Sequence, residues 1–141
     1  MKNIAIMMLV FFAFAKAYSQ DVTGKWKTID ENSGEVKSHV EIYKKGDSYY
    51  GKVLKVLAKD APENPKCVEC EGKLKDQPIE GMVIIKDLKK QGKMYKEGTV
   101  IDPENGKSYD CKIWLNEDNP DVLMVRGYVL FLYRTQTWER L

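Results

Sequence analysis

The chain ends R-T-Q-T-W-E-R-L (residues 134–141), and the phase of this stretch decides the fold. Arg134, Gln136, Trp138 and Arg140 fall on one side of a period-2 pattern, with threonines at 135 and 137 between them. That alternation reads as a half-buried strand rather than a fraying terminus. A terminal strand carrying a tryptophan on one face needs a partner, because an unpaired edge leaves a row of open N–H and C=O groups.

Working outward from the tail, turn signals recur at regular intervals and no segment has helical periodicity. Strands are predicted over 22–29, 36–44, 48–57, 82–88, 93–102, 109–115 and 122–129, with the tail as the eighth. D-E-N-S-G-E, K-K-G-D, K-K-Q-G, D-P-E-N-G and N-E-D-N-P-D punctuate them; in such turns Asn and Gly tolerate positive φ and Pro presets it. Short alternating strands joined by hairpins indicate an all-β sandwich or barrel. An even strand count makes the first and last strands antiparallel neighbours, so the simplest solution is a closed antiparallel up-and-down β-barrel of about eight strands. The tail would seal it against T-G-K-W-K-T (23–28).

The N-terminus reads as a secretory signal peptide over 1–19. Lys2 supplies the positive start, 4–14 form an unbroken apolar run, and Ala17 and Ser19 suit a cleavage site. Eleven apolar residues are too few to cross a bilayer core as a helix. Residues 20–141 are then one secreted or periplasmic domain, with no transmembrane segment in the mature chain. Losing Lys2 and Lys16 with no acid brings the formal charge of +2 to zero. That argues against nucleic acid, which requires a basic excess on one face. The expectation is a monomer.

Two resemblances sharpen this reading. G-K-W (24–26) is similar to the G-x-W of lipocalin-type barrels, in which the tryptophan packs at the closed floor beside an arginine of the last strand. More specifically, the chain resembles the bacterial domain-of-unknown-function family 2147. The matching segments are G-K-W-K-T-I-D, V-E-I-Y, Y-G-K-V, the C-x-x-C, I-E-G-M-V-I, D-P-E-N-G-K-S-Y, V-R-G-Y and R-T-Q-T-W-E-R, in order along nearly all of 20–141. The resemblance implies a small secreted β domain and carries over no activity. Tyr133 stands where family members have a glycine, so the last connection is expected to differ.

Strand direction brings Trp26, early in the first strand, to the same end as Trp138 and Arg140, late in the last. These three are the expected barrel floor, rimmed by the lysine-rich turns. The opposite end gathers D-E-N-S-G-E, D-P-E-N-G, the 130–133 corner and a 24-residue connection over 58–81. A connection of that length without evident structure suggests a lid over an open mouth. On this phase Arg134 and Gln136 point inward near the mouth, and Arg134, if buried, requires a carboxylate such as Asp102, a backbone oxygen or an anionic ligand. Arg126 is a further candidate, although either face of its strand could be the inner one. Arg134, Gln136, Arg126 and Asp102 are thus the candidate ligand contacts.

C-V-E-C (67–70) is the sharpest local motif. In an oxidising compartment Cys67 and Cys70 are expected to form a disulfide that staples the long connection. A redox pair is the functional alternative, but no helix N-terminus is predicted there to stabilise a thiolate. Zinc would need Cys111 and His39 as further ligands, and both lie on separate strands. Cys111 alternates with Tyr109, Ile113 and Leu115 and reads as a buried apolar residue, whereas His39 reads as a surface residue between Lys37 and Glu41. No metal site, cofactor, phosphate loop or catalytic constellation is evident. The expected role is non-catalytic binding of a small apolar or amphipathic ligand inside the barrel. The alternative is a structural or protein-interaction module of the cell envelope.

Overall fold

The structure is a computed structural model that describes residues 20–141; the expected leader, 1–19, lies outside the described residues. Eight strands run in chain order: β1 (Gly24–Ile29), β2 (Val36–Lys45), β3 (Ser48–Val56), β4 (Val83–Gln91), β5 (Met94–Ile101), β6 (Ser108–Leu115), β7 (Val122–Val129) and β8 (Leu132–Arg140). Each pairs antiparallel with its sequence neighbours, and β1 pairs with β8 to close the barrel. The sealing seam is short: Trp26↔Arg140, Lys27↔Glu139 and Thr28↔Trp138. One further backbone bond, from Leu141 N to Lys25 O at 2.9 Å, extends it.

The closed end of the barrel is packed solid. Trp26, Ile42, Leu88, Ile113 and Leu123 are fully buried there, each at an inward position of its strand, as the pleat of a one-sided sheet requires. Tyr49 and Tyr95 meet edge to face with ring centroids 4.7 Å apart, and the ammonium groups of Lys44 and Lys90 each lie 5.9 Å from one of those rings. The lysine-rimmed floor is therefore present, its cations resting on buried aromatic faces.

Residue 22 departs from the strand predicted for it. Val22 precedes β1, is wholly buried, and gives its carbonyl to Trp26 Nε1 at 2.9 Å. A buried indole N–H needs an acceptor, and folding the entering chain under the ring supplies one while plugging the floor. Arg140 locks that plug. Its guanidinium lies 4.2 Å from the Trp26 ring centroid and donates to the carbonyls of Asp21, Thr23 and Pro120 and to the Asp121 carboxylate, at 3.2–3.3 Å. Gly24 explains the first letter of G-K-W: its φ of +128° is unsuited to a side chain, and a Cβ would come within 3.2 Å of Arg140 Nη1. Trp138 is buried two pairs further up, across from Thr28 and Leu123. The expected floor trio thus shares one end, with Arg140 rather than Trp138 against the Trp26 ring.

Candidate functional site: a cavity under the barrel mouth

Above Trp138 the interior is hollow. A cavity of about 570 Å³ opens at the end formed by the 30–35, 57–82 and 102–107 connections and the β7–β8 turn. Aliphatic side chains such as Val53, Ile84, Val100 and Val125 form its walls, with the Trp138 and Tyr109 rings among them. Polar groups are few within. Thr28 and Ser38 share a hydroxyl–hydroxyl bond of 2.7 Å. Gln136 accepts from Trp138 Nε1 at 3.3 Å, and its amide nitrogen has no hydrogen-bond partner among the described residues.

The long connection is not the structureless lid that its length suggested. It contains a short 3₁₀ turn (Gly72–Leu74), a bridge between Lys66 and Pro78, and a Cys67–Cys70 disulfide with Cα atoms 5.3 Å apart. Both sulfur-bearing residues are buried, and Cys67 Sγ lies 3.4 Å from the Pro103 carbonyl. The stapled loop is pressed onto the β5–β6 turn so closely that a Cβ at Gly106 would lie 2.0 Å from Glu69 O. Gly106 also has a φ of +70°, so position 106 admits glycine on both counts. Ala58 and Ile79 are its contributions to the cavity wall.

The four candidate ligand contacts separate. Gln136 and Arg134 are inward in phase, across β7 from Val125 and Gly127. Arg134 is at the rim, however, with its side chain 72% exposed and Nη2 2.9 Å from Glu31 Oε2. The expectation of a buried guanidinium answered by Asp102 is therefore corrected: the carboxylate is Glu31, from the β1–β2 connection. That bond raises the arginine pKa further. Asp102 lines the cavity edge, where its carboxylate accepts from Glu104 N at 2.9 Å and shapes the turn. Arg126 does not enter the interior. It lies on the outer wall in register with Lys112 and Thr135, donates to Thr135 Oγ1, and stacks over Tyr133 and Trp114 at 4.2 and 5.0 Å.

One rim residue escapes sequence reasoning altogether. Lys37 alternates with the inward set of its strand and should face solvent. The β1–β2 ladder instead steps from Thr28↔Ser38 to Ile29↔Val36, leaving Lys37 as an extra residue, and such a bulge re-aims its side chain. Lys37 joins the cavity lining and pairs with Glu104 on the opposite arc of the mouth. Burial works to lower the lysine pKa, but the bond and charge of Glu104 outweigh it and the net shift is upward. Asp30 beside it is held low by the backbone N–H groups of Ser33 and Asn32, each 2.9 Å from Oδ1. Two ion pairs of cavity-lining residues, Lys37–Glu104 and Arg134–Glu31, thus flank the opening above the aliphatic walls, and Lys59–Glu35 joins the 57–82 and 30–35 connections beside them.

Cys111 is buried on β6, and burial alone pushes its thiol up to about 12, which makes it a poor nucleophile. His39 is half-exposed on the outer wall between Lys27 and Lys55. Among the described residues no helix is long and apolar enough to cross a membrane.

Among solved structures the barrel is similar to the protein HP1028 from the human pathogen Helicobacter pylori, described as belonging to the lipocalin family. The TM-score is 0.71 at 22% identity over 86% of this chain and 83% of that one, a likeness of fold. Among curated proteins no match was found. A family profile described as "Uncharacterized protein conserved in bacteria (DUF2147)" matches residues 24–140; these run from the first residue of β1 to the last of β8, and the chain belongs to that family.

Proposed function

We propose that this protein is a non-catalytic carrier of a small, largely apolar ligand, which enters between the two ion pairs and lies in the chamber above Trp138. The cavity carries this reading. Its volume of about 570 Å³ suits a small molecule, and binding sites of that kind are mostly apolar with a few placed polar groups. Gln136 would hydrogen-bond the ligand's polar end, and Arg134 would attract an anionic or carbonyl-bearing group at the rim by exchanging part of its bond to Glu31. The lipocalin-like fold agrees, since eight-stranded barrels of that type hold single small ligands. The signal-peptide pattern of 1–19 and the disulfide support an extracytoplasmic setting.

The test is ligand retention and its loss on filling the chamber. Protein purified from the periplasm under mild conditions is expected to carry extra mass by native mass spectrometry, and to bind a fluorescent fatty-acid probe after delipidation. Val125→Trp would occupy the void and is expected to abolish probe binding with the fold intact. Arg134→Leu should weaken a carboxylate probe more than the matching alcohol. If the wild type binds neither endogenous ligand nor probe, the cavity reading fails, and the envelope-interaction alternative takes its place.

A further inference from the structure

The β7–β8 turn is chemically unlike every other turn of the barrel. The other short turns are built from Asp, Asn, Glu, Gly, Lys, Ser and Pro, but this one runs V-L-F-L-Y (129–133). Leu130 and Phe131 are 88% and 86% exposed, Leu132 67% and Tyr133 61%. Val129 pairs with Leu132, so Leu130 and Phe131 alone form the tip. Leu130 also adopts a φ of +55°, a conformation for which Gly, Asn or Asp is the favoured choice at hairpin tips. A branched aliphatic residue held there in full solvent exposure is unfavourable both for hydration and for backbone sterics. Strain and exposure coinciding at one position point to function rather than folding.

The outer wall below the tip completes the pattern. Tyr128 and Tyr133 lie ring to ring at 6.0 Å. Arg126 stacks over Tyr133 and Trp114, and Lys112 lies 5.5 Å from Trp114 and 5.6 Å from Tyr128. One acid, Asp110, sits in register with Tyr128. The sequence along the barrel axis is therefore apolar tip, tyrosine collar, then cations on aromatic faces. That is the polarity profile of a bilayer leaflet met end-on: acyl chains, the interfacial layer favoured by Tyr and Trp, and phosphates. The tip is convex and two residues wide, a shape for insertion rather than a groove for a helix or strand. The connections nearest the hairpin at this end carry Asp30, Glu31, Glu35, Asp102 and Glu104, of which Glu31, Glu35 and Glu104 are paired with Arg134, Lys59 and Lys37.

We infer that the β7–β8 hairpin is a membrane-docking element, with Leu130 and Phe131 entering the acyl region of a phospholipid surface and Arg126 and Lys112 meeting lipid phosphates. Docking this way brings the cavity opening, which Val129 and Leu132 border, to the lipid surface. The inference stands on the outer wall and tip, and does not require the chamber to be occupied.

Flotation of the mature, disulfide-bonded protein with vesicles tests it, using phosphatidylcholine alone and phosphatidylcholine mixed with phosphatidylglycerol. The wild type is expected to float with both and more strongly with the anionic mixture. Phe131→Asp should lower partitioning about ten-fold or more on both. Lys112→Gln with Arg126→Gln should remove only the increment from phosphatidylglycerol. Leu130→Gly should reduce partitioning while raising thermal stability, a combination that a purely structural role does not give. Each variant's fold is checked by near-ultraviolet circular dichroism. A wild type that stays unbound with both vesicles overturns the inference, as does equal flotation of Phe131→Asp. A vesicle-inert wild type that sediments as a dimer, with Phe131→Asp monomeric, assigns the tip to a second copy of the chain instead.

Discussion

Trp26 is the residue on which the closed end depends. It is fully buried, bonded through Nε1 to Val22 and covered by Arg140, so Trp26→Ala removes the ring and orphans a carbonyl at once. A loss of about 3–5 kcal/mol is expected in urea unfolding. This contact was legible in the sequence because two short facts sufficed: G-K-W enters the first strand and W-E-R leaves the last. Arg126 was not legible, since β7 carries apolar side chains on both faces and its pattern selects neither. Lys37 was hidden by a one-residue bulge, which reverses the parity on which every inward assignment rests. Glu31 as partner of Arg134 depends on how a turn folds over a rim, and no periodicity encodes that. Cys111 gives a pH signature. Its folded pKa of about 12 exceeds the ordinary 9.0, so the thiol contributes full stability below pH 9 and loses it progressively as pH rises toward 12, where only the unfolded chain ionises. Wild type is therefore expected to lose more stability than Cys111→Ala between pH 8 and pH values above 9, measured by urea midpoints.

The 57–82 connection shows what a single motif does and does not reveal about an element. C-V-E-C announced a staple, and the staple is there; the clamp onto the β5–β6 turn required knowing where Gly106 would end up. Labelling of denatured, unreduced protein should modify Cys111 alone. Replacing both Cys67 and Cys70 by serine is expected to cost about 2 kcal/mol, the size of so small a ring. Gly106→Ala should do comparable or greater damage, because a positive φ and an overlap with the Glu69 carbonyl are resolved only by lifting the loop. Thermal melts of the two variants, alone and combined, check whether staple and clamp act as one unit. Less than additive losses are expected, since the residues share one contact surface.

At the scale of the molecule, alternation along eight strands was enough to reach a closed barrel and to sort its connections into two ends, because parity and direction are properties a strand order imposes everywhere. Whether the upper interior would be filled was beyond reach: Val and Ile line a void or pack a core with the same pattern. Deleting β8 from Thr135 onward should leave β1 and β7 as open edges and yield an aggregating chain, seen as loss of the monomer peak in gel filtration. The three-pair seam also has a kinetic meaning. It joins residues more than 100 positions apart, so loop-closure entropy defers it until the hairpins have formed. The barrel should therefore zip from β2 through β7 and lock last at Arg140. In the native state the same seam opens first, and amide exchange at Lys27 and Glu139, the paired residues whose N–H groups cross it, should outpace that of β6 and β7. Because this weak point lies beside the plugged end, such breathing would strain the floor while leaving the β5–β7 wall of the chamber intact.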